Sequence, residues 1–293
     1  MSYLFVDQIQ EHTTGQRICG CKLVRPDELY LTIGRANHPA LLPAVVGEAL
    51  GQLGAWSVMH ASQFQYRPVA GVVDQVTIYD DAYVGDLITL TTEIVTWDEQ
   101  AIDYHSVATV DGRKILAIDH AIGPMLPMTE FNDPQRMQQL FIELSNAQTP
   151  WVEDMQTSLP SPCALIRYDQ MVDWQPGVQV IATKYIPAKA AYFAEHFPRK
   201  PVLPLTMLLS ANLALAQQWL MEWQPSIGSS LVPYQLRKIK MRNFIAPETT
   251  VTTVIKLKAQ HNDQIVLQIV NQVDTRTVCG LEVIFHDANT QSA

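Results

Sequence analysis

The sequence predicts an α+β fold built twice in one chain, each copy a long apolar helix lying on an antiparallel sheet. Three observations carry this reading. Sliding the sequence on itself by 162 positions brings Asp7 onto Asp169, Gly15 onto Gly177, Lys22 onto Lys184, Pro39 onto Pro201, Leu53 onto Leu215 and Asp86 onto Glu248. Both copies run through the same order of elements, and each holds one helix-length apolar run among strand-length alternating ones. Scattered identities mean little, whereas one offset along most of each half is the mark of a repeat.

Each copy opens on a short apolar segment, Tyr3–Val6 or Ala164–Ile166, followed by a polar turn with Gly15 or Gly177 and a β-rich run. A helix then spans Ala44–Met59 in the first copy and Leu205–Met221 in the second, each preceded by a proline that suits a helix start. Strands follow over Val72–Tyr79, Leu87–Trp97, Ala101–Val110 and Lys114–Ile122, matched by Gln235–Phe244, Thr250–Ala259, Gln264–Val273 and Thr277–Phe285. Residues 125–160 are rich in Pro, Gln, Asn and Asp, with one amphipathic helix over Pro134–Leu144, and read as a linker between repeats at 1–124 and 161–288. The common offset predicts both helices side by side under one continuous sheet.

With 47% hydrophobic and 17% charged residues, the 293-residue chain can bury real cores. A net charge of -9 and pI near 5.3 argue against a general nucleic-acid binder, which needs a basic face. Cys19, Cys21, Cys163 and Cys279 show no metal-ligand spacing and read as reduced thiols. Residues 1–10 show no secretory signal, so cytoplasm is the expected compartment. Val202–Met221 is uncharged, but Pro204, Thr206, Ser210, Asn212, Gln217 and Gln218 favour a buried helix over a membrane span.

The second copy holds Glu195-His196-Phe197-Pro198-Arg199-Lys200-Pro201-Val202-Leu203-Pro204 directly before its helix. The first copy supplies Glu48-Ala49-Leu50-Gly51-Gln52, then Arg67-Pro68-Val69-Ala70-Gly71 and Val84-Gly85-Asp86. These resemble the His-Phe-Pro motif with its Pro-Val-Met-Pro-Gly, the Glu-Ala-Leu-Ala-Gln helix motif and the strand signatures of the β-hydroxyacyl-acyl carrier protein dehydratases. The resemblance covers both halves. It implies a hot-dog fold, and a dimeric enzyme whose sites each take a His from one subunit and an acid from the other. A doubled chain then becomes a tandem (double) hot-dog, a pseudo-dimer within one polypeptide.

The offset sharpens this. His196 falls opposite Gly34, and Glu48 falls opposite Ser210, so each copy keeps the member of the pair that the other lacks. The motif's glycine, whose N–H resembles an oxyanion donor, falls on Leu205 in the second copy and on Pro43, which has no N–H, in the first. One live site is expected from His196, Glu48 and the Leu205 backbone, supported by Gln52, Phe197 and Pro204. A degenerate site is expected from Gly34, Pro43 and Ser210. Loss of a proton next to a thioester needs a base near neutrality, as His196 can be. Expulsion of hydroxide needs an acid, and Glu48 on an apolar helix should hold a proton through desolvation. Gln52, at i+4, shares its face.

Other features read more plainly. His38 falls opposite Lys200, not His196, and reads as structural; Trp56, Trp174, Trp219 and Trp223 read as core or interface. Arg237, Lys238, Lys240 and Arg242 alternate with Leu236, Ile239 and Met241, which suits either a solvated strand face or, with Arg199 and Lys200, docking of an acidic carrier protein. The expected function is dehydration of a 3-hydroxyacyl thioester to the trans-2-enoyl form. The substrate rides on acyl carrier protein rather than coenzyme A, and no metal or redox cofactor is needed beyond the substrate's phosphopantetheine. The rivals are an acyl-thioester hydrolase, with Glu48 activating water, and a non-catalytic acyl-binding subunit. Nucleic acid is not an expected partner, and pairing of two doubled chains is compatible with the residues.

Overall fold

The computed structural model describes residues 3–151, 167–190, 192–228, 230–261 and 264–288. The first half runs β1 (Gln8–Thr13), β2 (Arg17–Leu23), β3 (Leu31–Ile33), β4 (Pro39–Leu41), α1 (Pro43–Ala61), β5 (Tyr66–Pro68), β6 (Val72–Ile78), β7 (Leu87–Trp97), β8 (Ala101–Val110) and β9 (Arg113–Pro127). A 3-10 turn, Met128–Glu130, and α2 (Pro134–Asn146) follow. The second half runs β10 (Gln170–Gln175), β11 (Gln179–Tyr185), α3 (Phe193–His196), α4 (Leu205–Trp223), β12 (Leu231–Met241), β13 (Thr250–His261), β14 (Gln264–Val273) and β15 (Arg276–Asp287).

Most of the strands form one antiparallel sheet in the order β1-β2-β7-β8-β9-β6-β12-β15-β14-β13-β11-β10, with β5 paired to β9. Under the repeat correspondence this order reads the same from either end. The join is β6 against β12, where Gln75 faces Arg237, two positions related by the repeat offset itself. Thr77 faces Gln235 and Val73 faces Ile239 across the same join, as a local two-fold axis between the halves requires. α1 and α4 lie against each other inside the sheet, and one hydrophobic cluster joins Leu50, Leu53 and Trp56 to Leu215 and Trp219. Trp174 and Trp223 pack at its edge.

The two helices stand at the same offset as the sequence repeat, and so do the paired strands before them. From β7 and β13 onward the copies stand one residue further apart, so the repeat is not gapless. Gly15 and Gly177 both take positive φ in the turn between the first two strands of their copies, against Trp97 and Trp223. Both central helices are apolar on nearly all sides and open on a proline-marked turn, as a helix enclosed by sheet and partner helix must be. The polar exceptions in α4 are satisfied: Asn212 exchanges bonds with Asn271 at 3.0 and 3.1 Å, and Tyr168 donates to Asn212 at 2.6 Å. Among the described residues no helix is long and apolar enough to cross a membrane.

Two bounds differ from expectation. β9 runs to Pro127, past the expected repeat end at 124, because β5 extends its pairing through Met125, Leu126 and Pro127. β12 spans Leu231–Met241, so Phe244 lies beyond it. The expected segment Ala164–Ile166 lies outside the described residues, as does Cys163. The linker helix α2 is capped by Asp133, whose side chain accepts from the Gln135 and Arg136 N–H at 3.0 and 3.1 Å. It buries Met137, Phe141 and Leu144 at helical spacing, with Phe141 stacked on His60 at 4.6 Å. Burial pushes the Cys21 thiol up to about 11 and Cys279 up to about 12, which leaves them protonated at neutral pH.

Candidate active site

α1 carries Glu48 near its start, on the side that faces α4. Its Oε1 accepts from Gln52 Nε2 at 3.1 Å, and its Oε2 accepts from the Thr206 hydroxyl in the first turn of α4. Gln52 is itself fixed: its Nε2 donates to the Tyr3 carbonyl and its Oε1 accepts from the Phe5 N–H, both at 2.9 Å. The buried N-terminal segment therefore orients Gln52, and Gln52 and Thr206 together orient the carboxyl from two different halves of the chain.

His196 ends the single turn of α3. Its ring stacks on Phe197 with centroids 3.9 Å apart and meets the edge of Tyr3 at 5.0 Å. Phe197 is held in turn by Phe131 at 4.8 Å and by the Arg67 guanidinium, 4.4 Å over its face. His196 Nδ1 is buried with no hydrogen-bond partner among the described residues. Burial, then the Arg67 charge, push the imidazole down to about 3, against an opposing hydrogen bond that the ring donates to the Val202 backbone carbonyl. At neutral pH the ring is then held as neutral imidazole, the form that can accept a proton.

Glu48 and His196 line one cavity of about 200 Å³, together with Gln52, Phe197, Leu205 and Thr206. Leu205 opens α4 directly after Pro204, so its N–H has no acceptor within the helix and the positive helix end faces the site. Further along, Leu209, Leu213, Leu116, Ile118 and Ile239 form an aliphatic wall. Tyr104 also lines the cavity, its hydroxyl raised by burial and by Glu48. Tyr3 is raised well above its usual value by burial and Glu48, with a Thr206 hydrogen bond opposing.

The positions expected of a degenerate site are Gly34, Pro43 and Ser210. Pro43 lines the cavity of Glu48 and His196, whereas Gly34 and Ser210 do not. Ser210 turns its hydroxyl back to the Thr206 carbonyl at 2.8 Å. A Cβ at Gly34 would stand 2.8 Å from Asp81 Oδ2, 2.9 Å from the Tyr83 ring and 3.0 Å from the Ala40 Cβ, so no imidazole fits there. His38 is exposed beside Tyr83 and outside the cavity.

The basic residues weighed for docking fall into two groups. Arg199 pairs with Asp133 at 2.9 Å and Lys200 with Glu130 at 3.0 Å, clamping the His196 loop to the linker. Arg237 donates to Gln75 and Gln235, and Lys238, pushed outward by a β-bulge, pairs with Glu282 at 3.1 Å. Lys240 and Arg242 are exposed and form no ion pair among the described residues; they flank Met241, which lines the cavity.

A FabA-like domain model matches residues 159–282, the half that carries His196. The 3-hydroxyacyl-[acyl-carrier-protein] dehydratase FabZ of Oenococcus oeni is 30% identical over 117 residues, 40% of this chain and 84% of that protein. FabZ of Clostridium novyi is 32% identical over 114 residues, 38% of this chain and 80% of its own length. The chain belongs to the FabA/FabZ-like dehydratase family. Among solved structures, the dehydratase domain of PpsC from Mycobacterium tuberculosis in complex with C12:1-CoA aligns with a TM-score of 0.57 at 13% identity, over 98% of this chain and 99% of that one. An acyl-ACP thioesterase from Bacteroides thetaiotaomicron aligns at 0.55 and 11%, over 92% and 98%. At such identities these likenesses show the hot-dog fold, which dehydratases and thioesterases share.

Two groups escaped the sequence reading. Thr206 stood only as a polar exception in an apolar run, and Arg67 only as part of a strand signature. The signal for Arg67 was a lone cation followed by four uncharged residues, Pro68-Val69-Ala70-Gly71. For Thr206 it was a hydroxyl at the start of a helix bearing the family's motif.

Proposed function

We propose that this family member dehydrates a 3-hydroxyacyl thioester to the trans-2-enoyl thioester, at one site per chain built across the two halves. The observation that carries this reading is the meeting of Glu48 and His196, contributed by different copies, in one cavity. Neutral His196 takes the C2 proton. The Leu205 N–H and the α4 N-terminus receive the charge that moves onto the thioester oxygen. Glu48, as the carboxylic acid, protonates the departing 3-hydroxyl, and the imidazolium then returns its proton to Glu48, so that water leaves and both groups are reset. A hydroxyl both donates and accepts, so Thr206 can hold Glu48 in either protonation state.

The aliphatic wall takes the acyl chain. Lys240 and Arg242 are the cations free to meet an acidic carrier protein or its phosphopantetheine phosphate, which favours a carrier protein as the vehicle. The phosphopantetheine belongs to the substrate, and the steps above call on no cofactor of the protein's own.

Mass spectrometry of the purified chain with 3-hydroxyacyl carrier proteins of several lengths tests the reading. Loss of one water from the acyl group supports it. Release of the free acid would replace it with thioester hydrolysis, and an unchanged acyl group at every length would leave an acyl-binding protein.

A further inference from the structure

One charged group of the cavity has no part in the reaction as drawn. Arg67 sits on β5, and its Nη1 donates to Asn132 Oδ1. Its Nε is buried with no partner, and among the described residues no carboxylate stands within ion-pair distance of it. A guanidinium carries five N–H donors in a fixed fork. Burying one with a single neutral acceptor is costly unless a ligand completes it. Burial pushes Arg67 down to about 10, with the Glu48 charge opposing.

We propose that Arg67 is a catalytic residue of this site, whose guanidinium binds the thioester oxygen and stabilises the negative charge that develops there. This rests on the dehydratase reading and deepens it. The location selects the ligand. Arg67 lies against the face of Phe197, the same ring that stacks on His196, so it stands one aromatic ring away from the base. The oxygen that turns anionic beside C2 is the one on C1. A carboxylate at the far end of an acyl chain would instead lie along the aliphatic wall, where no cation waits.

The electron flow closes around this contact. His196 takes the proton from C2, the C2–H pair becomes the C1=C2 bond, and the carbonyl π pair moves to the oxygen held by Arg67. That pair then returns to re-form the carbonyl as C2=C3 closes and the 3-hydroxyl leaves with the Glu48 proton as water. Leu205 carries a side chain where the motif has glycine, which limits how closely a substrate can approach its N–H. The guanidinium adds a full positive charge to the partial charge of that backbone donor. The Arg67 charge that depresses His196 is offset once an anionic oxygen pairs with the guanidinium.

The experiment uses two thioesters of equal length, one 3-hydroxylated and one plain acyl, with full-length wild type, Arg67→Met and Arg67→Lys. In D2O the plain acyl compound reports C2–H exchange by NMR, which requires enolate formation and no dehydration. Arg67→Met should lose roughly 10²-fold or more in both exchange and kcat, as for removal of one oxyanion donor, with KM within about threefold. Arg67→Lys should recover part of both, since it restores charge without the fork. Wild-type exchange in Arg67→Met, or a loss confined to KM, would overturn the proposal. So would a loss seen only with thioesters bearing a carboxylate, which would make Arg67 a specificity residue. If Arg67→Met does not fold, an Arg67→Lys protein with folded spectra and no exchange defect at all overturns it equally. Wild type that neither exchanges nor dehydrates would instead bring down the dehydratase reading, and this proposal with it.

Discussion

Replacing Thr206 by valine keeps the branching at Cβ and a similar volume while deleting the hydroxyl that donates to Glu48. A hydrogen bond to the carboxylate that Glu48 becomes as it gives up its proton contributes roughly 1.5–3 kcal/mol. At about 1.4 kcal/mol per tenfold in rate, losing it corresponds to roughly 10- to 150-fold in kcat. The second Glu48 oxygen keeps its bond from Gln52 at 3.1 Å, and Gln52 stays fixed by Tyr3 and Phe5. The carboxyl therefore keeps one of its two anchors, and the loss should fall near the lower end, about tenfold. Thr206→Ser, which retains the hydroxyl, should remain within about threefold of wild type. Initial rates of enoyl formation with saturating 3-hydroxyacyl thioester measure this, with circular dichroism confirming that each variant folds. A Thr206→Val enzyme with wild-type kcat, or a Thr206→Ser enzyme as slow as Thr206→Val, would show that this bond does not position the acid.

Four further outcomes are expected. Glu48→Gln and His196→Ala should each cut dehydration by about 10²–10⁴-fold without changing the unfolding temperature much, and near-full activity in either would remove it from the mechanism. Because His196 is held near 3 in the folded chain against an ordinary 6.5, the unfolded chain takes its proton first as pH falls. Its contribution then erodes stability between about 6.5 and about 3, by up to ~1.4 kcal/mol per pH unit, and His196→Gln should flatten the fall in melting temperature from pH 7 to 5. Gly34→Ala should lose about 1–3 kcal/mol in urea unfolding, because its Cβ would stand 2.8 Å from Asp81 Oδ2. Adding Gly34→His and Ser210→Glu together should install no second site, so a mechanism-based acyl inhibitor labels one residue per chain, His196, in that protein as in wild type.

The sequence by itself determined whatever is local along the chain or repeated within it. The repeat offset, the two central helices to within two residues at each end, and most of the sheet strands follow from periodicity, proline placement and apolar runs, which act between neighbours in sequence. The pairing of His196 with Glu48 was legible too, because each copy lacks the partner that the other keeps. The tertiary structure decided what depends on which surfaces meet. Thr206 reaches Glu48 only because the first turn of α4 lies against α1, and Arg67 lines the cavity only because β5 lies beside Phe197 and Asn132. The acidity of His196 is set by burial and by that same arginine, distant from it in the chain. Arg199 and Lys200 pair with carboxylates on the linker, while Lys240 and Arg242 form no ion pair among the described residues. Burial and electrostatics act through space with a reach of a few ångströms, so they become readable only once folding has brought residues far apart in sequence to that distance.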